Sequence, residues 1–324
     1  YNTDNEGIDA GEKSRFITQL EIEKQPSHTI SSTIYNAVLP EKAYEPVTIP
    51  KTDKIITRLR EIATDKGFSP SSLTNCINEA DEVEENIAVN TLGTIIHNAL
   101  EELYTPYLNQ YLALHHIEAM ETKIDDVILK HFKEIYKEGE ITKGKNLLAF
   151  EVAKRNVYNF LQIEKKDIEE GQAIKVLLLE ASLSCEIEVK SLPFPIKIAG
   201  KVDRIEERDK TIRIIDYKTG KVLGNSLKIN DFTDLTSDIK NEKIIQLLCY
   251  ALMFENHELK QNREVSAGIV SFKNMKNGFL PFGLGKGKDT ELAISTEILE
   301  DFKAELEMLI VEIFNPEMPF KEKV

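Results

Sequence analysis

The chain has 324 residues, 41% of them hydrophobic and 30% charged, with a formal net charge of −14. These proportions indicate a folded protein with a sizeable core, and no run of about 18 apolar residues is present to span a membrane. The acidic balance excludes indiscriminate nucleic-acid binding, since phosphate affinity comes from Lys and Arg, so any nucleic-acid role has to be local or metal-assisted.

Residues 1–65 mix short apolar patches with polar stretches and prolines (Pro26, Pro40, Pro46, Pro50), and read as an arm or partial domain ahead of a main domain over 66–324. The opening YNTDNEGIDAGEKS lacks the basic and apolar regions of a secretion signal, which makes the cytoplasm the default compartment. Tyr1 in place of an initiator Met reads as the start of a fragment. The cysteines Cys76, Cys185 and Cys249 are odd in number and far apart, which argues against a disulfide framework or a CxxC metal site.

In FSPSSLTN, Ser69 or Ser71 is placed to cap a helix, and NTLGTIIHNALEELYTPYL is amphipathic at helical period. Gly93, His97 and Glu101 share one face of that helix, while Ile96, Leu100 and Leu103 or Tyr104 form its apolar stripe. Gly93 is expected to let another backbone approach closely. A lone helical His is usually a packed or surface residue, so His97 becomes a candidate ligand only through what surrounds it. Helical patterns follow over 111–137 and 146–169, and their Glu and Lys runs read as solvated faces.

From Ala173 the period changes. KVLLLEASLSCEIEV, FPIKIAGKVDRIEE and TIRIIDYKT read as three consecutive strands, the last two joined by the turn ERDK into an antiparallel hairpin. Alternation places Asp216 and Lys218 on the face that carries Ile212 and Ile214. Asp203, near the end of the neighbouring strand, is expected within a few ångströms of Asp216. Two such carboxylates repel and desolvate each other unless a cation lies between them. Oxygen ligands suit Mg2+ or Mn2+, and an added imidazole such as His97 favours Mn2+. The helix NEKIIQLLCYALMFEN then places the polar Gln246 and Tyr250 at i, i+4, a spacing equally compatible with helix-surface groups or a core ring with a satisfied hydroxyl. A strand VSAGIVSFK, a Gly-rich loop FGLGKGKD and a helix TEILEDFKAELEMLIVEIF complete the chain. The Gly-rich loop lacks the strand-to-helix context of a phosphate loop and reads as a loop able to touch DNA.

GTIIHNALEELY, Glu180 in an apolar strand, GKVDRIEE, IIDYKTGK and QLLCYAL occur in an order that resembles the RecB-like branch of the PD-(D/E)XK nucleases, over roughly residues 68–320. The resemblance implies an α/β, restriction-endonuclease-like core with a central mixed β-sheet flanked by helices, plus helical insertions. It implies metal ligation by His97, Glu180, Asp203 and Asp216, with the Tyr217 carbonyl also offered to the metal. Lys218 would orient or activate the attacking water, and Gln246 and Tyr250 would support the site and the DNA. If the strand register slips, Glu186 or Glu188 takes the place of Glu180. GEKSRFITQLE is similar to the end of the inactivated helicase part of AddB-type proteins. Two features depart from the pattern. Cys76 is followed by INEADEVEEN where many relatives have an aromatic segment containing Cys-Pro, and no cysteines near Val324 are available for an iron–sulfur cluster.

The implied function is a metal-dependent DNA nuclease, exonuclease-type, acting with a helicase in end processing during double-strand break repair. A non-catalytic DNA-binding or scaffolding subunit and a stand-alone nuclease of defence or mobile-element origin are the alternatives.

Overall fold

A computed structural model of the chain describes residues 48–74, 89–135, 144–233, 235–236, 238–287 and 290–321, all within the unit Pro46–Val324. Cys76 and its segment lie outside the described residues, as does most of the expected arm over 1–65.

The centre is a five-stranded mixed sheet in the order β2-β3-β4-β6-β7, built from β2 (Ile174–Ile187), β3 (Ile196–Arg208), β4 (Thr211–Lys218), β6 (Val265–Ser271) and β7 (Phe279–Pro281). β3 and β4 form the expected hairpin, with Arg208 opposite Thr211 and Arg204 opposite Ile215. Its turn residues Asp209 and Lys210 have φ of 50° and 75°, the positive pair that matches a tight two-residue turn to strand twist. β4 and β6 run parallel, so the chain must cross over between them, and helix α7 (Glu242–Phe254) does so.

Helices cover both faces, and strand alternation sorts the core between them. Ile212 and Ile214 pack with α7 and the terminal helix α8 (Thr296–Phe314). Ile215 and Tyr217 pack with α3 (Val89–Tyr104), α4 (Leu114–Glu121), α5 (Ile124–Ile135) and α6 (Gly144–Glu169). The helical pattern over 111–137 is thus two helices, broken at Thr122 and Lys123. Ser69 caps the five-residue helix α2 (Pro70–Thr74), its Oγ accepting the Ser72 N–H at 3.0 Å. Gly200 on β3 permits tight packing: a Cβ there would meet Met253 and Pro70 side chains at 3.2 Å. Short strands β1 (Thr48–Ile49) and β9 (Phe320–Lys321) pair antiparallel in a separate two-stranded sheet, and β5 (Lys228–Ile229) and β8 (Gly283–Leu284) pair parallel in another. Among the described residues, no helix is long and apolar enough to cross a membrane.

Candidate metal centre and cleft

The β3–β4 ladder stops at Arg204 and Ile215, and beyond that point side chains replace the backbone pairing. The Asp203 carboxylate accepts the Tyr217 N–H through Oδ2 at 2.6 Å, which fixes it at the strand end and leaves Oδ1 turned to other partners. Asp216 and Lys218 share the face set by Ile212 and Ile214. Lys218 Nζ lies 2.8 Å from Asp216 Oδ2 and donates to Gln246 Oε1 at 3.1 Å, while Gln246 Nε2 donates to the Tyr250 hydroxyl at 2.8 Å. Gln246 and Tyr250 therefore form a relay behind Lys218, and the Tyr250 ring belongs to the core.

His97 reaches the same place from α3. Its Nδ1 lies 3.4 Å from Asp203 Oδ1 and 3.5 Å from Glu180 Oε1. Glu180 sits in β2 at φ 47°, between the pairs Leu179–Arg204 and Ala181–Val202. A left-handed non-glycine residue within a strand costs of order 1–3 kcal/mol, and here it accompanies a carboxylate turned toward His97. Glu186 pairs with Lys197 farther along the ladder, so Glu180 is the strand acid at this site. One donor atom from each of His97, Glu180 and Asp203 lies within 4.8 Å of the others, a spacing and donor set that fit one divalent cation. Among the described residues no second backbone approaches Gly93: an added Cβ would meet the Thr219 side chain, at 3.7 Å. The residue borders the open cleft instead.

The electrostatics follow from this crowding. Burial lowers the pKa of His97, but hydrogen bonds and charges from Asp203 and Glu180 outweigh it and raise it to about 10. Burial pushes Glu180 up, whereas His97 and Lys201 pull it below the ordinary carboxylate range. Asp216 is pushed up to about 6 by burial, with Lys218 opposing and the Asp203 charge adding to the rise. A carboxyl whose folded value exceeds its ordinary 3.8 opposes folding once ionised. The cost is absent below pH 3.8, grows up to about 6 and is complete above it. That gap corresponds to about 3 kcal/mol. Asp216→Asn is accordingly expected to raise Tm by several degrees at pH 8 in EDTA, with the gain vanishing toward pH 4. Thermal melts across that range check it, and an unchanged Tm at pH 8 contradicts it.

Two features escaped the sequence reading. Glu164, within a helix run read as solvated, is buried and binds the fully buried Arg204, whose Nη2 lies 2.6 Å from Glu164 Oε1 and 2.5 Å from Glu206 Oε2. The Arg204 guanidinium also stacks over Tyr104, its carbon 4.7 Å from the ring centroid. This packing immobilises the residue next to Asp203. The cleft at the site has a volume of about 550 Å³ and is bordered by Lys201, Lys221 and Lys243 in addition to Lys218. Lys243 lies three residues before Gln246 and Lys221 three after Lys218, and the fold brings the two segments to one opening. The described part of the Gly-rich loop does not border this cleft.

A sequence profile of the PD-(D/E)XK nuclease superfamily matches residues 73–324. No curated protein matches the chain. A solved structure, "Crystal structure of SSO0001", is similar at 14% sequence identity over 75% of this chain and 81% of that chain. Its TM-score of 0.23 is too low to carry a structural argument.

Proposed function

The chain belongs to the PD-(D/E)XK nuclease superfamily, and from this premise we propose that it is a metal-dependent deoxyribonuclease that hydrolyses phosphodiester bonds. The observation that carries the reading is the convergence of His97, Glu180 and Asp203 donors beside Asp216 and Lys218. His97, Glu180, Asp203 and Asp216, with the Tyr217 carbonyl, would hold Mg2+ or Mn2+. Such an ion, when bound, polarises a phosphate and lowers the pKa of a water.

The chain's own residues supply the rest. Asp203 is held in place by the Tyr217 N–H, so it presents Oδ1 without reorganisation. Lys218, fixed between Asp216 and Gln246, offers its ammonium to the attacking water or a phosphate oxygen. It cannot ligate while protonated, which separates its role from that of the carboxylates. Gln246 and Tyr250 restrain Lys218 from behind.

We place the enzyme in the cytoplasm, in exonuclease-type end processing during double-strand break repair. It would act with a helicase subunit or an upstream helicase-like region of which residues 1–65 are the end; the support is the order of motifs and the segment GEKSRFITQLE. The presence of Asp203, Asp216 and Lys218 together favours the enzyme over a non-catalytic subunit. The test is cleavage of end-labelled single- and double-stranded DNA in Mg2+, Mn2+ and EDTA. Products in either metal and none in EDTA are expected; DNA binding without cleavage in either metal would leave a scaffolding subunit.

A further inference from the structure

The cleft concentrates positive charge in a chain whose net charge is −14. Among the described residues four lysines border it, Lys201, Lys218, Lys221 and Lys243, with Glu180 as the acid on its wall; Asp203 lies against His97 and Asp216 against Lys218. Two of the four are committed: Lys201 Nζ lies 2.8 Å from Glu180 Oε2, and Lys218 Nζ lies 2.8 Å from Asp216 Oδ2. Lys221 and Lys243 have no carboxylate within ion-pair distance among the described residues, although the chain carries 55 acidic residues against 41 basic ones. Lys243 is moreover half-buried.

Their placement follows from the elements that carry them. Lys221 lies just past the Thr219–Gly220 turn that ends β4. Lys243 lies in the first turn of α7, one helical turn before Gln246, and the Lys218–Gln246 hydrogen bond ties that helix to the end of β4. Both residues therefore border the same opening as His97, Glu180 and Lys218.

Resting on the nuclease reading of this cleft, we propose that Lys221 and Lys243 bind the sugar–phosphate backbone next to the scissile phosphate, as a clamp separate from the groups that hold metal or activate water. A lysine is a flexible point charge and matches a phosphate without reading a base. The clamp consequently makes binding at the site indifferent to sequence and sensitive to salt. It also gives an acidic protein a local purchase on a polyanion that its overall field repels.

Each phosphate contact contributes a salt slope of about 0.9 on duplex and 0.7 on single strands, which at 0.1 M salt amounts to about an eightfold or fivefold change in affinity. The experiment measures anisotropy of a labelled oligonucleotide, single-stranded and duplex, in Ca2+ across a salt series. The proteins are the parent, Lys221→Ala, Lys243→Ala, the double variant, and Lys54→Ala as an exposed control on helix α1 (Asp53–Glu61). Each cleft variant is expected to weaken binding about five- to eightfold and to lower the slope by roughly one, irrespective of base sequence. Lys54→Ala should match the parent. A double variant with the parent's affinity and slope overturns the clamp and leaves the nuclease reading standing, which the cleavage assay judges separately. Lysine-dependent binding by a parent that cuts neither DNA supports the clamp and removes the nuclease. A parent that binds no DNA at low salt overturns both.

Discussion

Asp203→Ala is expected to lower Mn2+ affinity by roughly a hundredfold or more and to abolish cleavage, while the protein stays folded. Disturbing a group behind a metal ligand already costs about 10- to 100-fold, and Asp203 is placed to be the ligand itself. It lies 3.4 Å from His97 and is the acid whose orientation the backbone fixes, through the Tyr217 N–H. Its loss leaves His97 and Glu180 as the remaining donors of the cluster, too few contacts to hold a divalent ion. The fold survives because the β3–β4 ladder is complete without it, from Arg208–Thr211 to Arg204–Ile215. Calorimetry with Mn2+ on the parent and the variant decides the matter. Equal affinities in the two proteins sink the site.

The second large effect is at Lys218. Lys218→Ala is expected to reduce single-turnover cleavage roughly a hundred- to a thousandfold with metal binding retained, because it removes an interaction realised only in the transition state. Ground-state neutralisation of the phosphate would remain with the cation and the other lysines. Lys218→Arg should restore little: its guanidinium is larger, delivers its donors in a fixed plane, and has to fit between Asp216 and Gln246. Single-turnover rates measured beside a DNA-binding titration in Ca2+ separate the two properties. Parent-rate cleavage by the Ala variant refutes the role, as does a proportional loss of binding and cleavage.

Much of this site was legible because strand alternation is local. The two-residue interval from Asp216 to Lys218 places both on the Ile212–Ile214 face whatever the rest of the chain does, and the short turn at Asp209 and Lys210 brings β3 back against β4. The choice among Glu180, Glu186 and Glu188 was not local. It depended on the register of β2 against β3, where Glu180 falls beside Asp203 and Glu186 falls opposite Lys197. Glu164 was illegible for a similar reason: a glutamate on a charged helix reads as solvated until its partner Arg204, 40 residues later, is folded against it. Likewise, Lys221 and Lys243 are ordinary charged residues in sequence. They become cleft residues only once the crossover sets α7 beside the end of β4. Among the described residues the expected close backbone approach at Gly93 is not made, and the Thr219 side chain lies there instead.

The most direct measurement is an anomalous difference map from a crystal of the protein soaked in Mn2+. A metal site built by His97, Glu180, Asp203 and Asp216 predicts a peak within coordination distance of the His97 imidazole and the Asp203 carboxylate. The same peak should be missing from Asp203→Ala crystals soaked alike. A map with no peak at these residues, or with Mn2+ bound only elsewhere on the acidic surface, would contradict it.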